Sequence, residues 1–560
     1  MSVFSQVETG TSWSRTRFTK SLSYTMKYDC RFHEVIPVFW MFCLPGDVTK
    51  LAGDVLVRFH PMLSPTLTPN SFKVRYFFVP LRLLEENTEL IITGSKNGKM
   101  STDPIPTFKN FVDDADKTED SNCFKVAKWS FWDYMSVQCL DYENIKTDEC
   151  LPAQYWYKAY KRIWFDYYRD ENYDTEDDFD VLWDDEKVKG ADVNPFFSHL
   201  RKDYFTSTLP WQLKAPSAPS IQTTLTTWTP NFAYAAGDSG DIATDLVLQS
   251  TGGSDFDIFG NRNNLNDTHD AKYKYLYPFA NHGSGTQDQL NNFSQRFVNW
   301  LNKPQQNSTL VTFNADQLRT MMAQTRIFER LARAGSRYTE YLRANFGTAP
   351  ADDTLQRAQY LGGWSVPIVT TEVLQTAQGT DPVGTMRGHG ITRGGNRIQT
   401  FHCKEFGVLF GVAEVRPDVE YTTGIPRELS YKRRWDFFNP SFQHLSEQEV
   451  RKGELFISNS DGENDVTLGF QAYANELRSK SNRTVGDLRD SLSYWNQALH
   501  FTTRPEVSGL LDASAHLGSF NAPFIGSGDT RRPIIVQYHN IVDSYRPLVR
   551  YATPGLVDHL

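Results

Sequence analysis

The sequence is poor in several features that would commit it to a familiar chemistry. Six cysteines are spread over 560 residues (Cys30, Cys43, Cys123, Cys139, Cys150 and Cys403). None form a CxxC pair or a Cys/His cluster at zinc spacing, so they read as free thiols of a reducing cytoplasm rather than a disulfide framework. No basic surplus exists: the formal net charge is −9. A protein that coats nucleic acid alone draws its affinity from neutralised phosphates, so contact with DNA here requires local patches or a separate basic partner. No apolar run reaches bilayer-spanning length, and the start Met1-Ser2-Val3-Phe4 lacks the charged-then-apolar layout of an export signal. The expectation is synthesis and assembly in a cytoplasm, without membrane insertion.

Catalytic signatures are missing as well. There is no GxxxxGK[ST] loop, GxSxG elbow or HExxH helix. The glycines of Arg387-Gly388-His389-Gly390 and Arg393-Gly394-Gly395 follow no clear strand-to-helix boundary and read as a flexible surface loop. In the acidic run Asp174–Glu186, Phe179 stands where a calcium loop needs glycine, so the run reads as solvated. The histidines are scattered without a local signature. The expectation is a protein that is not an enzyme and carries no cofactor or metal.

What is present is period-two alternation near both ends. Val55, Val57 and Phe59 alternate, as do Phe72, Val74, Tyr76 and Phe78. Late in the chain Phe406, Val408, Phe410 and Val412 alternate, then Ile534, Val536, Tyr538 and Val542. Half-buried strands produce this pattern. Pro45-Gly46 and Pro69-Asn70 punctuate the early runs. Between them lie helical segments. Leu151–Asp170 carries Pro152 in its first turn and the stripe Tyr157, Tyr160, Trp164 and Tyr168, a core-facing or subunit-facing face rather than a ligand box. Ala315–Ala334 carries the stripe Leu318, Met321, Met322, Thr325 and Phe328, with Asn314 as its cap, and Tyr338–Asn345 stops at Gly347. The implied fold class is mainly β. One sheet domain closed by both chain ends is expected: an arm over 1–20, first strands over 21–80, insertions with helices over 81–399, and late strands with a further insertion over 400–560. The polar, glycine-rich stretch 236–292 is too long for an ordinary connection.

Three basic clusters stand out, two of them beside aromatics. Lys432-Arg433-Arg434 precedes Trp435, Phe437 and Phe438, and Arg478, Lys480, Arg483 and Arg489 lie close together. Arg15 and Arg17 stand in the arm between Trp13 and Phe18. Stacking rings beside cations suit single-stranded nucleic acid. A solvated or subunit-contact face, where arginine is also enriched, is the weightier reading of any one cluster. The expected DNA-facing set is Arg433, Arg434, Arg478, Lys480 and Arg483.

Colinear motifs supply a resemblance. Leu44-Pro45-Gly46-Asp47, Arg75-Tyr76-Phe77-Phe78-Val79-Pro80, Ile163-Trp164-Phe165-Asp166 and Arg169-Asp170-Glu171-Asn172 come first. Asp203-Tyr204-Phe205-Thr206-Ser207 with Leu209-Pro210-Trp211, Ala334-Gly335-Ser336-Arg337-Tyr338, Tyr360-Leu361-Gly362-Gly363 and Pro554-Gly555-Leu556 come after. Together they resemble the microvirus major capsid protein, particularly its gokushovirus-like branch, over essentially the whole chain. Gln212-Leu213-Lys214 departs from the family's usual continuation and marks a divergent branch.

The resemblance implies an eight-stranded jelly-roll capsid barrel with large insertions. It implies about sixty copies closing a T=1 icosahedral shell through pentamers, around circular single-stranded DNA. Partners would be a small basic internal DNA-binding protein, a scaffolding or pilot protein, and a receptor on the bacterial host surface. The insertion expected to form the surface protrusions is 236–292. A jelly-roll carbohydrate-binding protein or glycosidase, or a trimeric receptor-binding spike, fits the aromatics but not the motifs.

Overall fold

A computed structural model describes residues 18–93, 128–137, 152–174, 194–214, 315–374 and 386–548, apart from short breaks within these ranges, together with two isolated strand pairs. One pair, Val247–Gln249 with Asp255–Asp257, falls within 236–292. The remainder of that stretch, most of the arm, the acidic run beyond Asp174 and the C-terminal motif lie outside the described residues. The chain separates into two units, 1–215 with 328–560, and 216–327. The first unit carries the barrel.

Eight long antiparallel strands build this barrel: β1 (Tyr24–Cys30), β2 (Ile36–Cys43), β3 (Val48–Phe59), β4 (Asn70–Pro80), β5 (Gln359–Leu374), β6 (Met386–Arg397), β7 (Gly407–Pro417) and β8 (Ile534–Arg546). Hydrogen bonding links β1-β8-β3-β6 on one side and β5-β4-β7-β2 on the other, with the β5–β6 hairpin joining the two. This is the jelly-roll arrangement: the strands alternate between two facing four-stranded sheets, and the final strand inserts between β1 and β3. Phe18–Ser21 extends the first sheet along the end of β8.

The early and late alternations mark real strands. In β8, Ile534, Val536, Tyr538 and Val542 are buried, while Ile535, Gln537 and Ile541 face out. Phe72, Val74, Tyr76 and Phe78 point into the same core from β4. The Tyr76 and Tyr538 hydroxyls meet across the barrel at 2.5 Å, so two large buried side chains satisfy each other's polar tips. Gly53 leaves the space for this pair, since a methyl there would overlap the Tyr538 ring.

Two barrel strands, β5 and β6, lie within the stretch 81–399 where the sequence suggests insertions and loops. The glycine-rich segment expected to be a flexible loop is β6 itself, so that expectation is corrected. Glycine hides the alternation because the barrel closes tightly there. A methyl at Gly390 would stand 2.5 Å from the Phe59 ring, and one at Gly388 would stand 2.6 Å from the Ser64 backbone. Close approach, not conformational freedom, demands these glycines.

The connection from β4 to β5 carries α1 (Tyr155–Tyr167), α2 (Ala315–Ala334) and α3 (Tyr338–Phe346). Helix α1 starts three residues after Pro152, later than its sequence suggests. Tyr157 and Tyr160 are buried against Phe131, Phe77, Val408 and Phe410 on the outer surface of the second sheet. Tyr160 donates from its hydroxyl to the Val35 carbonyl at 2.7 Å and accepts from the Phe196 amide at 2.9 Å. The aromatic stripe is therefore core-facing. In α2 the expected stripe is half-buried at Leu318, Met321, Thr325 and Phe328, while Met322 is exposed. Helix α3 ends on Gly347, which adopts the left-handed conformation (φ 70°) glycine tolerates best at a helix C-terminus. A buried ion pair within the barrel unit, Arg532 with Glu34, holds the first insertion through Tyr134 and Trp129. Arg532 donates to Glu34 at 2.9 Å and to the Tyr134 hydroxyl at 2.7 Å, and its guanidinium lies 4.9 Å from the Trp129 ring centre.

Candidate assembly and nucleic-acid surface

The connection from β7 to β8 forms a second insertion that carries all five cations expected to face DNA. Its floor is a short antiparallel pair, Glu447–Arg451 with Thr467–Ala472, docked on the first insertion through Leu209 and Phe470. Beneath the surface lies a charged network. Arg427 reaches Glu454 at 3.2 Å and Glu476 at 3.8 Å, and the Tyr204 hydroxyl donates to Glu454 at 2.8 Å. Burial pushes the Glu454 carboxyl above its usual range, against the opposing pull of the Arg451 amide and Arg427. Gly424 (φ 91°) lets the chain turn against this network, because a methyl there would overlap the Glu454 carbonyl.

The five expected DNA-facing residues do not form one surface. Arg483 is half-buried, donating to the carbonyls of Thr423 at 3.0 Å and Gly424 at 3.1 Å, and burial lowers its guanidinium's pKa. It organises the insertion's interior. Lys480 is exposed but its ammonium pairs with the Glu428 carboxylate. Arg433, Arg434 and Arg478 are exposed, and none of the three pairs with a carboxylate among the described residues.

Arg433 and Arg434 stand in an aromatic platform whose extent the expected set did not capture. Trp435 is 64% exposed, Phe437 57% and Leu429 75%. The platform is rigidly held. The Tyr431 hydroxyl donates to Glu476 at 2.7 Å and its ring meets Phe437 at 5.7 Å. Trp435 packs on Phe442 at 5.6 Å, and Phe438 stacks on Tyr473 at 5.8 Å. The Arg434 guanidinium sits 5.2 Å from the Trp435 ring centre. Asp436 accepts the amides of Lys432 at 2.8 Å and Arg433 at 2.7 Å, and these two bonds hold its carboxyl below the usual range. The local carboxylate is thus spent on the backbone. The sequence signal was present, since three aromatics come directly after the basic triplet. Nothing local distinguished an exposed ring from a core ring.

Other chemistry is sparse. Among the described residues no group of three or more His, Cys, Asp or Glu could hold a metal ion, and no helix is long and apolar enough to cross a membrane. Cys30, Cys43 and Cys403 are free and buried.

The whole chain is similar to known proteins. The sequence matches the family described as Capsid protein (F protein) over residues 5–556. The chain belongs to this phage capsid protein family. Capsid protein VP1 of Bdellovibrio phage phiMH2K is 27% identical over 97% of the chain and 95% of its own length. Capsid protein VP1 of Chlamydia phage 1 is 26% identical over 99% and 97%. Capsid protein VP1 of Spiroplasma virus 4 is 24% identical over 93% and 92%. The relatives are microvirus proteins, as the colinear motifs suggested. This capsid protein is accordingly a structural component of a virion that self-assembles into a shell. Its family is structural rather than enzymatic.

Proposed function

We propose that the chain is the shell-building subunit of a small phage, joining through pentamers into a T=1 icosahedral capsid of about sixty copies around circular single-stranded DNA. The observation that carries this reading is a jelly-roll barrel whose chain matches a capsid family from residue 5 to residue 556. A barrel with both ends woven into one sheet is a stiff wedge, and repeated moderate contacts between such wedges close a shell without any single strong one.

The net charge of −9 favours a division of labour in which a small basic internal protein neutralises most of the genome. With Lys480 paired to Glu428 at the surface and Arg483 drawn into the fold, Arg478 is the cation of the expected set in this cluster left open for a direct phosphate contact. A scaffolding or pilot protein completes assembly in the host cytoplasm, and the stretch 236–292 reaches the host surface receptor. The test is negative-stain electron microscopy of the protein co-expressed with its neighbouring genes. Uniform small isometric particles are expected. A persistent monomer with all partners present would refute the reading.

A further inference from the structure

The platform around Trp435 is a surface that the described residues build and leave uncovered. Leu429, Trp435 and Phe437 stay exposed although a buried Arg/Glu/Tyr network and several ring contacts fix their backbone. Lys432, Arg433 and Arg434 ring it without a carboxylate partner among the described residues, because Asp436 is committed to backbone amides. A soluble monomer gains nothing from such an arrangement, and exposed apolar surface rimmed by charge marks a partner site.

We propose that this platform is a contact between copies of the chain, and that it receives the acidic run 174–186 of a neighbouring copy. The inference rests on the shell reading above. Charge and composition argue for this occupant. Beyond Asp174, which is held by His199 of its own chain, the run carries Glu176, Asp177, Asp178 and Asp180, with Phe179 and Trp183 between and beyond them. Acid and ring alternate there as base and ring alternate on the platform. Arginine and aromatics are the residue types that dominate such interfaces. A nucleic acid would use the cations and stack on a ring, but it offers Leu429 no apolar partner. Acidic copies, by contrast, are present at equal number throughout a shell.

The experiment co-expresses each variant with the neighbouring genes, then measures particle yield by sedimentation and electron microscopy, and packaged DNA per particle. Thermal melting of the unassembled protein is the folding control. R433E/R434E and, separately, W435A/F437A should leave the melting temperature within about 2 °C of the parent, since these side chains are exposed. Particle yield should fall at least about tenfold, the size of a 1.4 kcal/mol change in one contact. Adding D177R/D178R to R433E/R434E should restore a substantial part of the yield. Normal particle yield with reduced DNA would overturn the proposal in favour of a nucleic-acid site. Normal yield with normal DNA would overturn it outright, and loss of yield without restoration by the charge swap would overturn the acidic run as occupant. Failure of the parent protein itself to form particles would instead sink the shell reading.

Discussion

The two sheets of the barrel share one interior and have opposite exteriors. Strand β7 in the second sheet is buried on nearly every residue from Gly407 to Val415, because α1 and its neighbours cover its outer face. Strand β8 in the first sheet alternates strictly, and its outward row leaves Ile535 44% exposed, beside exposed Arg58 and Gln537. No described element covers that face. The insertions therefore finish one side of the barrel as a monomer's core. The other side keeps the pattern of a sheet that meets solvent or a partner.

That contrast can be broken experimentally. The largest effect is expected at the buried pin between the first insertion and the barrel. Arg532→Met leaves the buried Glu34 to the longer 3.4 Å ion pair with Arg31 and should cost about 3–5 kcal/mol in denaturant unfolding, whereas adding Glu34→Gln should recover part of it. Tyr160→Ala on the covered face removes a fully buried ring and should cost about 3–5 kcal/mol by the same measurement. Gly390→Ala forces a methyl against the Phe59 ring and should cost about 1–3 kcal/mol.

Acidification probes the junction where the second insertion meets the barrel. Burial lowers the pKa of His33, with Arg416, His516, Lys73 and His199 adding to the effect, and burial also lowers His516. Both are neutral when folded at pH values where the unfolded chain binds protons, so stability should fall as pH drops below about 6.5. His199 works the other way. Burial would lower it, but its 2.7 Å contact with Asp174 prevails and raises it, so its contribution is present at low pH and lost as pH rises through the raised value. The net slope of melting temperature against pH should flatten in His33→Asn. Asparagine suits this site because His33 has a φ of 61°. The smallest effect is expected on the bare face. Ile535→Ala should change monomer stability by less than about 1 kcal/mol, and a larger loss would mean that face is covered after all.

Legibility in the sequence tracked the same divide. The strict alternation of β8 and the inner row of β4 could be read directly, because one face met water or long polar side chains. The hairpin of β5 and β6 could not, because Gly388, Gly390 and Gly394 carry no side chain to alternate and Pro367 reads as a breaker. Among the expected DNA contacts, Arg483 shows the limit of charge clustering as evidence. A guanidinium can be drawn inward by carbonyls of residues nearly sixty positions away, and no local pattern announces that. The colinear motifs carried the family assignment where composition and periodicity alone left a sugar binder or glycosidase, a receptor-binding spike and a shell protein open.

The position of β8 has a consequence for the order of events during synthesis. Strands β1 and β3 both emerge from the ribosome early, the second of them ending at Phe59, yet they do not pair with each other. The slot between them waits for Ile534–Arg546. A nascent chain can therefore prepare the second sheet and its insertions, but it must carry an open first sheet until β8 has emerged. Closure of the barrel therefore depends on its last strand: a chain broken before Ile534 would leave β1 and β3 with unpaired facing edges in place of a finished wedge.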